Sequence, residues 1–182
     1  MDRPSFEQIY MRLASDLARR STCKRMQVGT VITSTDYRKV LAVGYNGNAT
    51  GLPNTCDRDE AGNCGCLHSE DNAVINCDSP RQTEKYVFVT HHPCSPCAKR
   101  LINLGNVKKV FYVLDYRSRA AEGLFMQAGI ALERLELLPA QDLAAAVQSA
   151  TVQSAAVSDP LGEIAAMHPS AEIAGNQNAA QP

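Results

Sequence analysis

The sequence predicts an α/β protein: a three-layer α/β/α sandwich around a mixed five-stranded sheet. Three observations carry the prediction. Two β-rich runs open the pattern, joined by a short polar turn; helix and strand patterns then alternate three times; and both stop near residue 138 of the 182-residue chain. A helical crossover imposes parallel strands and lays helices on the sheet faces, whereas a tight turn makes an antiparallel pair. With 45% hydrophobic residues, the chain is long enough for one domain with a real core.

Residues 5–20 read as the first helix. Ser5 and Gln8 have capping-box spacing, and Phe6, Ile9, Tyr10, Leu13 and Leu17 recur on one face. "VGTVITS" (28–34) and "VLAVGYNG" (40–47), joined by "TDYRK", form a hairpin. Residues 48–65 are rich in Gly, Asn and Asp, lack a regular period, and read as a loop. A helix is expected over 67–77, a strand over 85–91, and a helix from Pro96 to Leu104 with Gly105 at its C-terminal cap. A strand over 107–114, a helix over 120–128 ended by Gly129, and a final alternating strand, "IALERLEL" (130–137), complete the domain of residues 1–138. From 139 to 182 Ala, Gln and Ser dominate, and a flexible tail is expected. Only "QDLAAAVQSA" has helical propensity there, and His168 reads as solvated.

A net charge of −1 gives no global field toward nucleic acid or an acidic membrane surface. No window approaches the ~18 apolar residues of a membrane span, and the N-terminus lacks the apolar core of a signal peptide, so a cytoplasmic protein is expected. Of seven cysteines, Cys77 suits the interior of an apolar helix. The other six fall in or beside turns, and an odd total without an export signal points to metal rather than disulfides.

Two short segments complement one another. His68-Ser69-Glu70 opens one helix, and Pro93-Cys94-Ser95-Pro96-Cys97 opens another, with Pro96 in the first turn where its missing N–H costs nothing. A helix N-terminus favours thiolate. Two thiolates and one neutral imidazole balance the charge of Zn²⁺ and leave one position open, the mark of a catalytic site. Zinc brings the pKa of a bound water to about 7, and Glu70 is placed to move that water's proton. His-x-Glu…Pro-Cys-x-x-Cys is the signature of zinc nucleobase deaminases. His91 and His92 read as stacking or packing groups, because His68 completes the ligand set. Cys23, Cys56, Cys64 and Cys66 remain, a set that suits a closed tetrahedral zinc site stapling the irregular loop.

Over residues 5–138 the chain resembles the deoxycytidylate (dCMP) deaminases of bacteria and phages, in the cytidine deaminase-like superfamily. The resemblance rests on "RSTCKRMQVGTVI", "GYNG", "HSEDNAVINC", "YVFVTHHPCSPCAK" and "LDYRSRAAEGLFMQAGI". It implies His68, Cys94 and Cys97 as ligands of a catalytic zinc, Glu70 as proton shuttle and Asn46 as a nucleotide contact. Some phage members hold a second zinc, and Cys23 and Cys56 match two of its ligands. Cys66 falls where an acidic ligand stands in those members, and Cys64 is the candidate for the remaining one, a histidine there. The resemblance further implies dCTP and dTTP effectors and a homo-oligomer, a hexamer in the family. "HSE" replaces the usual "HAE", and Ala49 stands where many members carry Pro, which bears on regulation more than on catalysis.

The expected reaction is hydrolysis of dCMP to dUMP and ammonia, feeding thymidylate synthesis. Tyr116, Arg117 and Arg119, following the fourth strand, are candidates to hold the phosphate. Rival readings are a modified deoxycytidylate, another free nucleotide or a polynucleotide as substrate. A further rival is a zinc module that only binds partners. An aromatic content of 5% without Trp argues against a polynucleotide, and Glu70 against a passive module.

Overall fold

The computed structural model describes residues 3–58 and 64–136. Its elements run α1 (Phe6–Ala18), β1 (Gly29–Ser34), β2 (Val40–Tyr45), α2 (Ser69–Ile75), β3 (Lys85–His91), α3 (Ser95–Leu104), β4 (Val107–Leu114), α4 (Ala120–Gln127) and β5 (Ala131–Arg134). The sheet order is β2-β1-β3-β4-β5. β1 is antiparallel to both β2 and β3, while β3–β4 and β4–β5 are parallel. The α2 crossover thus carries the chain from β2 over β1 to β3, keeping β2 and β3 codirectional without pairing them.

Two apolar layers flank the sheet. One joins Met11 and Ala14 of α1 to Val31, Phe88 and Phe111. The other joins Ala73 of α2, Ala98 and Leu101 of α3, and Ala121 and Phe125 of α4 to Ile32, Val87, Val89, Val110 and Tyr112. The mixed five-stranded, three-layer architecture is therefore as the sequence predicts.

The buried face of α1 is not the one expected. Phe6, Ile9 and Leu13 are exposed; Met11, Ala14 and Ala18 are buried, with Tyr10 and Leu17 at the boundary. A methyl on Gly29 would lie 1.9 Å from the Ala14 carbonyl oxygen. The helix rests directly on the β1 backbone, and only its small residues admit that approach. The capping box is present: Gln8 N–H donates to Ser5 Oγ, and Ser5 N–H to Gln8 Oε1, each at 3.3 Å.

Helix α2 is shorter than expected, with His68 outside it as the N-cap residue. The last strand is also short, since only Lys109–Tyr112 of β4 pair with it. Leu137 and the Ala/Gln-rich stretch from 139, with the helical expectation over 141–150 and His168, lie outside the described residues.

Candidate active site and metal centres

Both chemical segments sit where a helix begins against the sheet. His68 caps α2, and Cys94 caps α3 with Cys97 in its first turn and Pro96 beside it. β3 delivers the second segment and packs against β1 and β4, so the two half-sites meet at one end of the sheet. His68 Nδ1 lies 3.2 Å from Cys97 Sγ and 3.5 Å from Cys94 Sγ. The three donor atoms all fall within 4.8 Å of one another. Tetrahedral zinc with bonds of about 2.1 Å to nitrogen and 2.3 Å to sulfur needs N–S separations near 3.5 Å, so the residues fit the ion.

The three groups perturb one another's titration. The Cys94 thiol is held down to about 4 by the hydrogen bond from Cys97, against the opposing effect of burial, and by His68. Cys97 is pushed up by the same bond and by burial. His68 is raised to about 8 by its contact with Cys94, burial opposing and the Glu70 charge assisting. Glu70 is 4% exposed; burial pushes its carboxyl up, while its own backbone N–H, His68 and Ser69 pull it down.

The second cluster comes from the turn after α1 and the loop before α2. Cys23 Sγ lies 3.7 Å from Cys64 Sγ, and Cys66 Sγ lies 3.6 Å from Cys56 Sγ. All four sulfurs fall within 4.8 Å of one another. Tetrahedral Zn–S bonds of about 2.3 Å put sulfurs about 3.8 Å apart, so this set also fits zinc. Burial opposes ionisation of Cys23, yet the N–H groups of Arg25 and Met26 bring its thiol down to about 7. Burial pushes Cys66 up. The loop is tied at its ends by Gly47 and Leu67, whose backbones exchange hydrogen bonds of 3.1 and 2.8 Å. Cys77 packs against the core, as expected of a small apolar side chain.

A cavity of about 280 Å³ is lined by Cys23, Cys64 and Cys66 of the second cluster and by His68 and Cys94 of the first, together with Glu70. Asn46, Tyr116 and Arg117 line it, as does His91, read from the sequence as a stacking or packing group, and so do Arg25 and Asp115, which sequence reasoning did not single out. Asn46 is buried and braces the wall: its Oδ1 accepts from Val28 N–H at 2.8 Å, and its Nδ2 donates to the Met26 carbonyl at 2.6 Å. Arg119 is not among the lining residues. Its guanidinium bonds Asp115 at 2.7 Å and Glu122 at 2.8 Å, so it anchors the start of α4 and leaves Arg117 facing the cavity. His92 is buried, edge-on to Tyr112 at 5.0 Å, with Nδ1 3.0 Å from the Pro93 carbonyl oxygen. Its Nε2 lies 3.6 Å from the Glu122 carboxylate. No helix among the described residues is long and apolar enough to cross a membrane.

Fold and site together define a zinc-dependent hydrolytic deaminase. The profile of the cytidine and deoxycytidylate deaminase zinc-binding region matches residues 4–114. The chain is 36% identical over 151 residues to ComE operon protein 2 of Bacillus subtilis, covering 75% of each. It is 31% identical over 127 residues to the deoxycytidylate deaminase of Mycobacterium phage D29, covering 62% of this chain and 97% of that one. The dCMP deaminase of cyanophage S-TIM5, solved in complex with dCMP and dUMP, superposes with a TM-score of 0.66 at 30% identity, over 74% of this chain and all (100%) of that one. The chain belongs to the cytidine and deoxycytidylate deaminase zinc-binding family.

Proposed function

We propose that residues 1–138 form a deaminase domain that converts dCMP to dUMP and ammonia. The observation that carries this is the buried Glu70 carboxyl, placed in a cavity beside the His68, Cys94 and Cys97 donors. Those three residues hold zinc, which when bound supplies a water acidic enough to ionise near neutral pH. Glu70 is placed to take one proton from the attacking water to N3 of the pyrimidine and then to carry that water's second proton to the amine leaving C4. A carboxyl raised by burial binds a proton readily, as a shuttle must. Arg25 and Arg117, both at the cavity, are the cations for a monophosphate, with Tyr116 as a hydroxyl donor. Cys23, Cys56, Cys64 and Cys66 hold a second, structural zinc that fixes the cavity wall. The likeness to deaminases named for dCMP supports this substrate over other nucleotides.

The test is ammonia release from dCMP, CMP, dCTP, deoxycytidine and a 5-substituted dCMP, with zinc counted per chain. Turnover of dCMP alone, with two zincs, is the expected result. Zinc without turnover of dCMP would overturn the substrate. Glu70→Gln is expected to keep zinc and fold and to lose at least about 100-fold in rate; parental activity in that variant would overturn the mechanism.

A further inference from the structure

Buried hydroxyls stand behind Glu70. Ser69 Oγ donates to Glu70 Oε2 at 2.9 Å, and Thr30 Oγ1 lies 2.8 Å from Ser69 Oγ. Thr30 and Ser69 are each 0% exposed. A serine hydroxyl has one proton. With that proton given to Glu70, the one between the hydroxyls must come from Thr30, and the chain runs Thr30 to Ser69 to Glu70. Thr30 is itself held in register between Gly44 of β2 and Val89 of β3. The carboxylate is therefore braced from the middle of the sheet, across a helix boundary, and not only by its own helix.

We propose that Ser69 and Thr30 are positioning residues for the proton shuttle, an inference that rests on the deaminase reading above. Ser69 occupies Oε2 and fixes the plane of the carboxylate, which leaves Oε1 to collect and return protons. Each proton taken from water onto Oε1 leaves for the ring nitrogen or the departing amine. Ser69 and Thr30 keep their own protons throughout. Both hydroxyls are fully buried, and removing one takes away a fixed hydrogen bond and lets the carboxylate rotate away from the reacting atoms.

The experiment is a two-residue cycle, read with the nucleotide that the parental protein turns over. Ser69→Ala is expected to lower kcat about tenfold or more, with KM within about twofold and zinc per chain unchanged. Thr30→Val, which keeps the volume, is expected to lower kcat less. The double variant should be no slower than Ser69→Ala alone, because Thr30 acts only through Ser69. A parental kcat in Ser69→Ala overturns the proposal. So do additive losses, or a fall in kcat that tracks loss of zinc and melting temperature. Should Ser69→Ala fold poorly, the kcat–KM split of Thr30→Val decides by the same criterion. Glu70→Gln run alongside separates the two readings. If it is inactive while Ser69→Ala is fully active, only the positioning role falls; if it is active, the shuttle falls too.

Discussion

At Gly44 a single hydrogen sets the position of half the candidate active site. A methyl there would lie 2.2 Å from the Ser69 carbonyl oxygen and 2.5 Å from the Ala73 nitrogen. Helix α2 can rest on β2 only because that side chain is missing. Gly44→Ala is predicted to cost about 1–3 kcal/mol, as overpacking does. It should also speed zinc loss to a chelator, since the displaced helix carries His68 and Glu70. A melting temperature and chelation rate equal to the parent's would contradict this seating. The thiols give a second prediction at this scale. Cys97→Ser should remove one zinc per chain and all turnover, whereas Cys23→Ser should remove the other zinc. Metal analysis of the two variants separates the sites.

Beyond the apolar layers, specific polar contacts couple the elements. Asp71 on α2 accepts from the His68 N–H at 3.4 Å and pairs with Arg100 on α3 at 2.9 Å, bridging the two helices that carry the first metal cluster. Arg100 is half exposed, so the pair is worth at most about 1 kcal/mol. Arg100→Gln should therefore barely move the melting temperature, yet weaken zinc retention in a chelator competition, because it loosens one half-site against the other. At the far end of β3, the Lys85 ammonium is fully buried and donates to the carbonyls of Pro80, Thr83 and Gly105 at 3.0, 2.7 and 3.3 Å. It ties the turn before β3 to the end of α3. Lys85→Met leaves three carbonyls without that donor and is predicted to destabilise by about 2–4 kcal/mol, read from denaturant unfolding.

For the molecule as a whole, metal and fold are predicted to be linked. Each candidate cluster draws together segments far apart along the chain, so an ion that binds only the folded chain would stabilise it. Removing zinc with a chelator is predicted to lower the melting temperature and to raise protease cleavage between β2 and α2, and re-adding zinc should restore both. The sheet and the α1 packing do not depend on the metals, so circular dichroism should retain the secondary structure below the new midpoint.

Much of this was legible in the sequence because it depends on neighbours along the chain. The element order, the capping box of Ser5 and Gln8, and the helix starts at His68 and Cys94 are set by spacing over a few residues, as are the donor types of the two candidate metal clusters. What spacing cannot carry is which side of an element meets which backbone. The apolar stripe of Phe6, Ile9 and Leu13 faces away from the sheet because Gly29 demands Ala14 against it. Arg117 faces the cavity while Arg119, two residues on, is held by Asp115 and Glu122. Arg25, His91 and Asp115 join the site because three separate chain reversals converge at one end of the sheet. The reaction centre was written into local motifs, since metal ligands need particular atoms at particular intervals. Its walls, its seating on Gly44 and the hydroxyl chain behind Glu70 were decided only by tertiary packing, since close approach depends on residues far apart along the chain.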